Sequence, residues 1–77
     1  MAKNILMPKW GLTMEEGTVV VWEIEVGDEV EVGDVIAVVE TEKVEVDLES
    51  PEAGTVVQIL VPEGETVEVG AALVIVE

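Results

Sequence analysis

The chain offers few groups with which to do chemistry. It has no cysteine and no histidine, and three basic residues stand against 18 acidic ones, for a net charge of −15. After Lys9 one basic residue remains, Lys43, in the run Glu40-Thr41-Glu42-Lys43-Val44. A lysine amine is ordinarily protonated at neutral pH, with a reference pKa of about 10.4. Once it loses that proton it can attack an activated acyl group and form a stable amide. Surfaces usually mix both signs of charge, so one amine among Glu40, Glu42, Glu45 and Asp47 is a chemically distinct spot. The plain reading of such a lysine is a solvated residue on a surface loop. Its position in the chain points further.

The elements on either side must place that amine. Val35 to Val39 is an apolar run, and Val44 to Glu49 alternates, with Val44, Val46 and Leu48 on one side and Glu45, Asp47 and Glu49 on the other. A period of two marks a strand with one wet face. A single strand from Asp34 to Glu49 would exceed the usual length of roughly 3–10 residues. The chain is therefore expected to turn at Thr41 to Lys43, with Lys43 at the tip of a hairpin. Thr-Glu-Lys-Val lacks the Asn-Gly or Gly-X pair that tight hairpins prefer. A type I turn accepts these residues, and a sequence poor for turning suggests a turn kept for function.

Taken in order, the chain reads as short strands. Lys3 to Met7 opens it and Pro8 stops it. Trp10, Leu12 and Met14 are expected to pack over the core as a lid, from a loop that can also lie beside the hairpin and touch partners. Thr18 to Val26 follows, with Val20, Trp22, Ile24 and Val26 on one face. Gly27-Asp28 and Gly33-Asp34 turn around a very short strand at Val30 and Val32. After the hairpin, Ser50 to Gly54 is a loop and Thr55 to Val61 a strand. Val67 and Val69 form another short strand, and Leu73 to Val76 closes the chain. Eighteen valines and no Phe or Tyr suit pleated surfaces better than helices.

The sequence also repeats. At one constant offset, Gly17-Thr18-Val19-Val20 falls on Gly54-Thr55-Val56-Val57, and Gly27 on Gly64. Val30-Glu31-Val32-Gly33 falls on Val67-Glu68-Val69-Gly70, and Val39-Glu40 on Val76-Glu77, with no gap. Two units, about 16–40 and 53–77, are too few for a solenoid. Each has an apolar face to bury against the other. The expected fold is all-β: a flattened eight-strand barrel or sandwich of two four-stranded antiparallel sheets with quasi-two-fold symmetry. Under that symmetry the Lys43 hairpin and the chain termini occupy equivalent places at opposite ends.

Glu-Thr-Glu-Lys-Val resembles the Glu-Thr-Asp-Lys-Ala motif of lipoyl domains, the swinging-arm carriers of 2-oxo acid dehydrogenase complexes. Met-Pro-Lys-Trp-Gly-Leu-Thr-Met-Glu-Glu-Gly resembles the opening of lipoyl domains from acetyl-type complexes, including acetoin dehydrogenase. Gly27 and Gly54 stand at the family's spacings from the lysine and are expected to be structural turn residues. The resemblance runs from Lys3 to Glu77. It implies a barrel-sandwich hybrid whose lysine, here Lys43, carries covalent lipoate, with Glu42 and Val44 as flanking recognition residues. Glu42 replaces the family's usual Asp and Val44 its commoner Ala. Glu40, Glu45 and Trp10 are further candidates for partner recognition. The implied partners are a lipoate ligase or lipoyl transferase, a thiamine-diphosphate dehydrogenase component, an acyltransferase core and dihydrolipoamide dehydrogenase. Residues 1–77 would be one carrier domain, a fragment of a longer multidomain dihydrolipoamide acyltransferase of pyruvate or acetoin type, and no enzyme by itself.

Composition removes several other classes. Without Cys or His there is no Cys/His zinc site, no Ser-His-Asp triad and no disulfide. The charge of −15 opposes nucleic acid binding. No apolar run approaches the ~20 residues of a membrane span, no signal peptide is evident, and a cytoplasmic setting is expected. Two alternatives keep the fold and change the function. A biotinyl carrier domain of a carboxylase would place Met on both sides of the lysine. An unmodified lipoyl-like adaptor would not need the lysine at all.

Overall fold

Stiff valines spaced two apart and interrupted by glycine produce eight short strands in the computed structural model, which describes residues 2–12, 14–42 and 44–77. Met1, Thr13 and Lys43 lie outside the described residues. The strands are β1 (Lys3–Leu6), β2 (Glu16–Trp22), β3 (Glu29–Val30), β4 (Val35–Glu40), β5 (Glu45–Glu49), β6 (Gly54–Ile59), β7 (Thr66–Glu68) and β8 (Ala72–Val76). They form two four-stranded sheets, ordered β1-β8-β6-β3 and β5-β4-β2-β7, and every pairing is antiparallel. Exchanging β1 with β5, β2 with β6, β3 with β7 and β4 with β8 turns one order into the other. The expected all-β fold with quasi-two-fold symmetry is therefore the observed one.

Four glycines close the turns around β3 and β7. Gly27, Gly33, Gly64 and Gly70 have φ of 100°, 95°, 88° and 93°. Each is the third residue of a turn whose fourth N–H donates to the first carbonyl, as Asp28 does to Glu25 at 3.0 Å and Asp34 to Glu31 at 3.0 Å. Positive φ at the third position alone is the mark of a type II turn. In the first two turns the Asp carboxylate also accepts a bond from the first residue's N–H: Glu25 to Asp28 at 2.9 Å and Glu31 to Asp34 at 2.8 Å.

The halves interlock rather than simply stack. β3, from the first half, pairs with β6 of the second, and β7, from the second, pairs with β2 of the first. The turns carry the same exchange. Gly27 N–H donates to Val56 O at 2.7 Å, and Gly64 N–H donates to Val19 O. Trp22 adds a side-chain tie across the halves: its Nε1–H donates to Val61 O at 2.8 Å and its N–H to Glu63 Oε2 at 2.9 Å.

The core lies between the sheets. Ile5, Met7, Val19, Ile36, Val39, Leu48, Val56, Leu73, Val74 and Val76 are buried there, and burying each such side chain stabilises the fold by about 1.5–3 kcal/mol. The repeat is visible in it: Val19 and Val56, Ile36 and Leu73, and Val39 and Val76 are equivalent pairs.

Three side-chain expectations need correction. The face Val20-Trp22-Ile24-Val26 is not continuous. Pairing of β2 with β4 shifts register between Val19 and Val21, which puts Val19 inward, leaves Val20 exposed and turns Trp22 and Ile24 back towards the core. A bulge resets the alternation in this way. Val26 and Val32 are exposed because they sit second in glycine turns. The Trp10-Leu12-Met14 lid is only partly formed: Met14 packs on the core, whereas Leu12 is 96% exposed.

Candidate functional site

The β4–β5 hairpin is held at its open end by strand pairing, with Val39 opposite Val46 and Glu40 opposite Glu45. Beyond Glu40 the chain has four residues before β5 begins. Thr41 closes them. Its N–H donates to Val44 O at 2.8 Å and its hydroxyl donates to the same oxygen at 3.0 Å. Val44 N–H points back to Thr41 Oγ1 at 3.4 Å. A threonine hydroxyl thus supplies closure in a turn with no glycine. Lys43 lies within this connection and outside the described residues, and so does the expected type I turn that includes it. Its neighbours Glu42 and Val44 are both exposed, so the described chain on either side of the lysine is open to a macromolecule.

The loop after β1 runs beside the hairpin. Together they border an open hollow of about 800 Å³. Trp10, Gly11 and Met14 line it from the loop, and Glu40, Thr41, Glu42, Val44 and Val46 from the hairpin. Glu15, Glu16 and Thr18 continue the wall along the start of β2. Thr66 completes it from β7, where its Oγ1 lies 2.6 Å from that of Thr18. Trp10 N–H donates to Met14 Sδ at 3.4 Å and ties the two apolar members of the loop together.

Of the residues singled out in the sequence, the structure brings Trp10, Glu40, Glu42 and Val44 to one hollow. Glu45 does not line it. Gly27 stands in its turn as expected. Gly54 does not turn the chain: it opens strand β6, and a Cβ there would meet Glu77 O at 2.6 Å. Its role is to admit a close backbone, with Thr55 N–H donating to Glu77 O at 2.7 Å and Glu77 N–H to Thr55 O at 2.9 Å. Gly17, its equivalent in the repeat, is likewise crowded, by Val39 and Met7. Reasoning from sequence missed Thr41, Glu15, Glu16 and Thr66. The Thr41–Val44 spacing was a local signal for the first; only pairing of β7 with β2 brings in the last.

The electrostatics around the hairpin are one-sided. Glu40 faces Glu45 directly across the strand pair, and Glu16 faces Glu68. Like charges directly opposite are destabilising. Among the described residues the one salt bridge, Lys3 Nζ to Glu52 Oε1 at 3.1 Å, lies elsewhere and is half exposed. No group of three or more metal-ligating residues occurs among the described residues.

A hairpin closed without glycine, followed through to a swapped pair of sheets, matches one family model along nearly the whole chain. The biotin/lipoyl model, described as "Biotin-requiring enzyme", matches residues 3–76. The chain belongs to the biotin/lipoyl attachment family. Membership implies a covalently attached prosthetic group of lipoate or biotin type. The described part of the hairpin fits such a group, since Thr41 and Val44 hold its ends and Glu42 and Val44 are exposed.

Curated relatives narrow the comparison. The chain is 46% identical over 52 residues, 68% of its length, to the dihydrolipoyllysine-residue acetyltransferase component of the acetoin cleaving system of Bacillus subtilis. It is 51% identical over 49 residues, 64% of its length, to the component of the same name from Cupriavidus necator. It is 47% identical over 47 residues, 61% of its length, to the corresponding component of the pyruvate dehydrogenase complex of Rhizobium meliloti. The matched segments span only 13%, 13% and 10% of those proteins. No helix among the described residues is long and apolar enough to cross a membrane.

Proposed function

We propose that residues 1–77 form the lipoyl carrier domain of a longer dihydrolipoamide acyltransferase, and that Lys43 is the attachment point. The domain serves an acetyl-type complex, acetoin or pyruvate dehydrogenase. The observation that carries this reading is the 46–51% identity to acetyltransferase components of acetoin systems, in a chain whose family match includes the hairpin.

The domain contributes position rather than bond-making. Attached lipoate would supply acyl acceptance and two-electron redox chemistry. Thr41 and Val44 hold the chain on both sides of Lys43, and the paired strands β4 and β5 fix the hairpin to the core. A lipoate ligase or lipoyl transferase would deliver the activated acyl group on which the lysine amine forms its amide. Glu42 and Val44 flank that amine, and Glu40, Glu45 and Trp10 are the neighbouring surface for partners. Those partners are the thiamine-diphosphate component, the acyltransferase core and dihydrolipoamide dehydrogenase. Tethering raises the effective concentration of the arm at each of their active sites. A cytoplasmic setting goes with this reading.

The test is intact mass with peptide mapping after expression with lipoate and lipoate ligase, run beside expression with biotin and biotin ligase. A lipoyl adduct on Lys43, with Lys3 and Lys9 unmodified, is the expected result. Biotin in its place would make this a biotinyl domain. An unmodified Lys43 in a folded domain would leave an adaptor.

A further inference from the structure

We infer that the hollow beside the hairpin is a resting site for the arm attached at Lys43, with Trp10 and Met14 as its apolar wall. This rests on the lipoyl reading above. Both chain neighbours of Lys43, Glu42 and Val44, line the hollow, which keeps it within reach of a long arm attached between them in the sequence. Trp10 is 39% exposed although its loop is tied back through Met14 Sδ. That leaves Trp10 and Met14 both lining a hollow with room in front of them, about 800 Å³.

The chemistry of the walls selects the occupant. Glu15, Glu16 and Glu42 ring the hollow and are exposed. Among the described residues no cation lines it. A carboxylate, such as a free 2-oxo acid or free lipoic acid, would be repelled there. An amide-linked arm has no carboxylate and no charge, so it meets the apolar wall without that penalty. Its aliphatic chain can cover the indole, and sulfur makes favourable contacts with aromatic rings. The hollow thus prefers the tethered arm to the free acid of the same compound. The contact is weak enough to release the arm to a partner's active site, because the hollow is open and its walls are mostly in water.

The experiment compares the lipoylated and unmodified domains by NMR and fluorescence. In the wild-type domain, nuclear Overhauser contacts from dithiolane protons to the Met14 methyl and the Trp10 indole are expected. A Trp22→Phe variant leaves Trp10 as the one indole. Its quenching by acrylamide should fall on lipoylation, by the fraction of the population that is docked. Free lipoic acid added to a Lys43→Gln domain, which carries neither the arm nor its cation, should produce neither effect. A Lys43 adduct verified by mass, with no contacts and unchanged quenching, overturns the resting site and leaves the carrier reading intact. Absence of the adduct overturns the carrier reading and this inference with it. If Trp22→Phe unfolds, the wild-type contacts decide alone.

Discussion

The glycine turns allow a test in which folded-state strain is separated from everything else. Gly27 has φ of 100°, and a Cβ added there would meet no atom within 4 Å. A Gly27→Ala change therefore costs no packing. It also keeps the N–H that donates to Val56 O at 2.7 Å. What remains is the penalty of positive φ for an L-residue, roughly 1–2 kcal/mol. Against it stands a gain of about 0.4–1 kcal/mol, because alanine restricts the unfolded chain. L-Alanine should thus destabilise by about 1 kcal/mol. D-Alanine prefers positive φ and should keep only the gain. A chain of 77 residues is within reach of chemical synthesis, so both variants can be made and unfolded in urea. The unfolded-state term is the same for both enantiomers and cancels in their difference, which should be about 1–2 kcal/mol in favour of D. For a domain of this size that is on the order of 4–8 °C in Tm per kcal/mol. Coincident midpoints for the two variants would show that φ at Gly27 is not what the turn requires.

The remaining predictions concern the close approach, the charges and the site. Gly54→Ala should destabilise by about 1–3 kcal/mol, since its Cβ meets Glu77 O at 2.6 Å; thermal unfolding checks it, and loss of protection at the Thr55 amide would locate the damage. Glu68→Lys places a cation opposite Glu16 and should stabilise by about 0.2–1 kcal/mol, with the gain shrinking as salt is added; an equal gain at high salt would remove the electrostatic explanation. Lys43→Arg should abolish the adduct in the mass spectrum and leave the dispersed β-type amide shifts in place, because the hairpin is closed by bonds between Thr41 and Val44. Replacing Glu42 and Val44 together with methionine should make the domain a better substrate for a biotin ligase; no increase in biotin transfer would mean that the flanking residues do not set the choice.

Much of the fold was legible because its determinants are local. The alternation of Glu45 to Glu49 places Leu48 inward and Glu45, Asp47 and Glu49 outward. The glycines at the turns could be read because the left-handed region excludes most other residues. Trp10 and Leu12 were misjudged for the opposite reason. Large apolar side chains in a loop say nothing about whether a core remains for them to cover, and here Met7 and Met14 already occupy that place. The Val20 face failed because a bulge is a property of two paired strands and only one of them is visible in a local run. Gly54 reads in sequence like any turn glycine; its crowding comes from Glu77.

By itself the sequence determined the number and order of the strands, the four glycine turns, the internal repeat and the single lysine between two strands. Each is set by backbone sterics or by counting residues, within a few positions along the chain. Tertiary structure alone decided the exchange of β3 and β7 between the halves and the hollow beside the hairpin. The apolar faces of a repeat can be buried against its own copy or its partner, and local preference does not distinguish the two. The choice rests on backbone groups left unpaired at the sheet edges. β2 and β6 find their second neighbours in the opposite half, and that pairing carries Thr66 to the wall of the site.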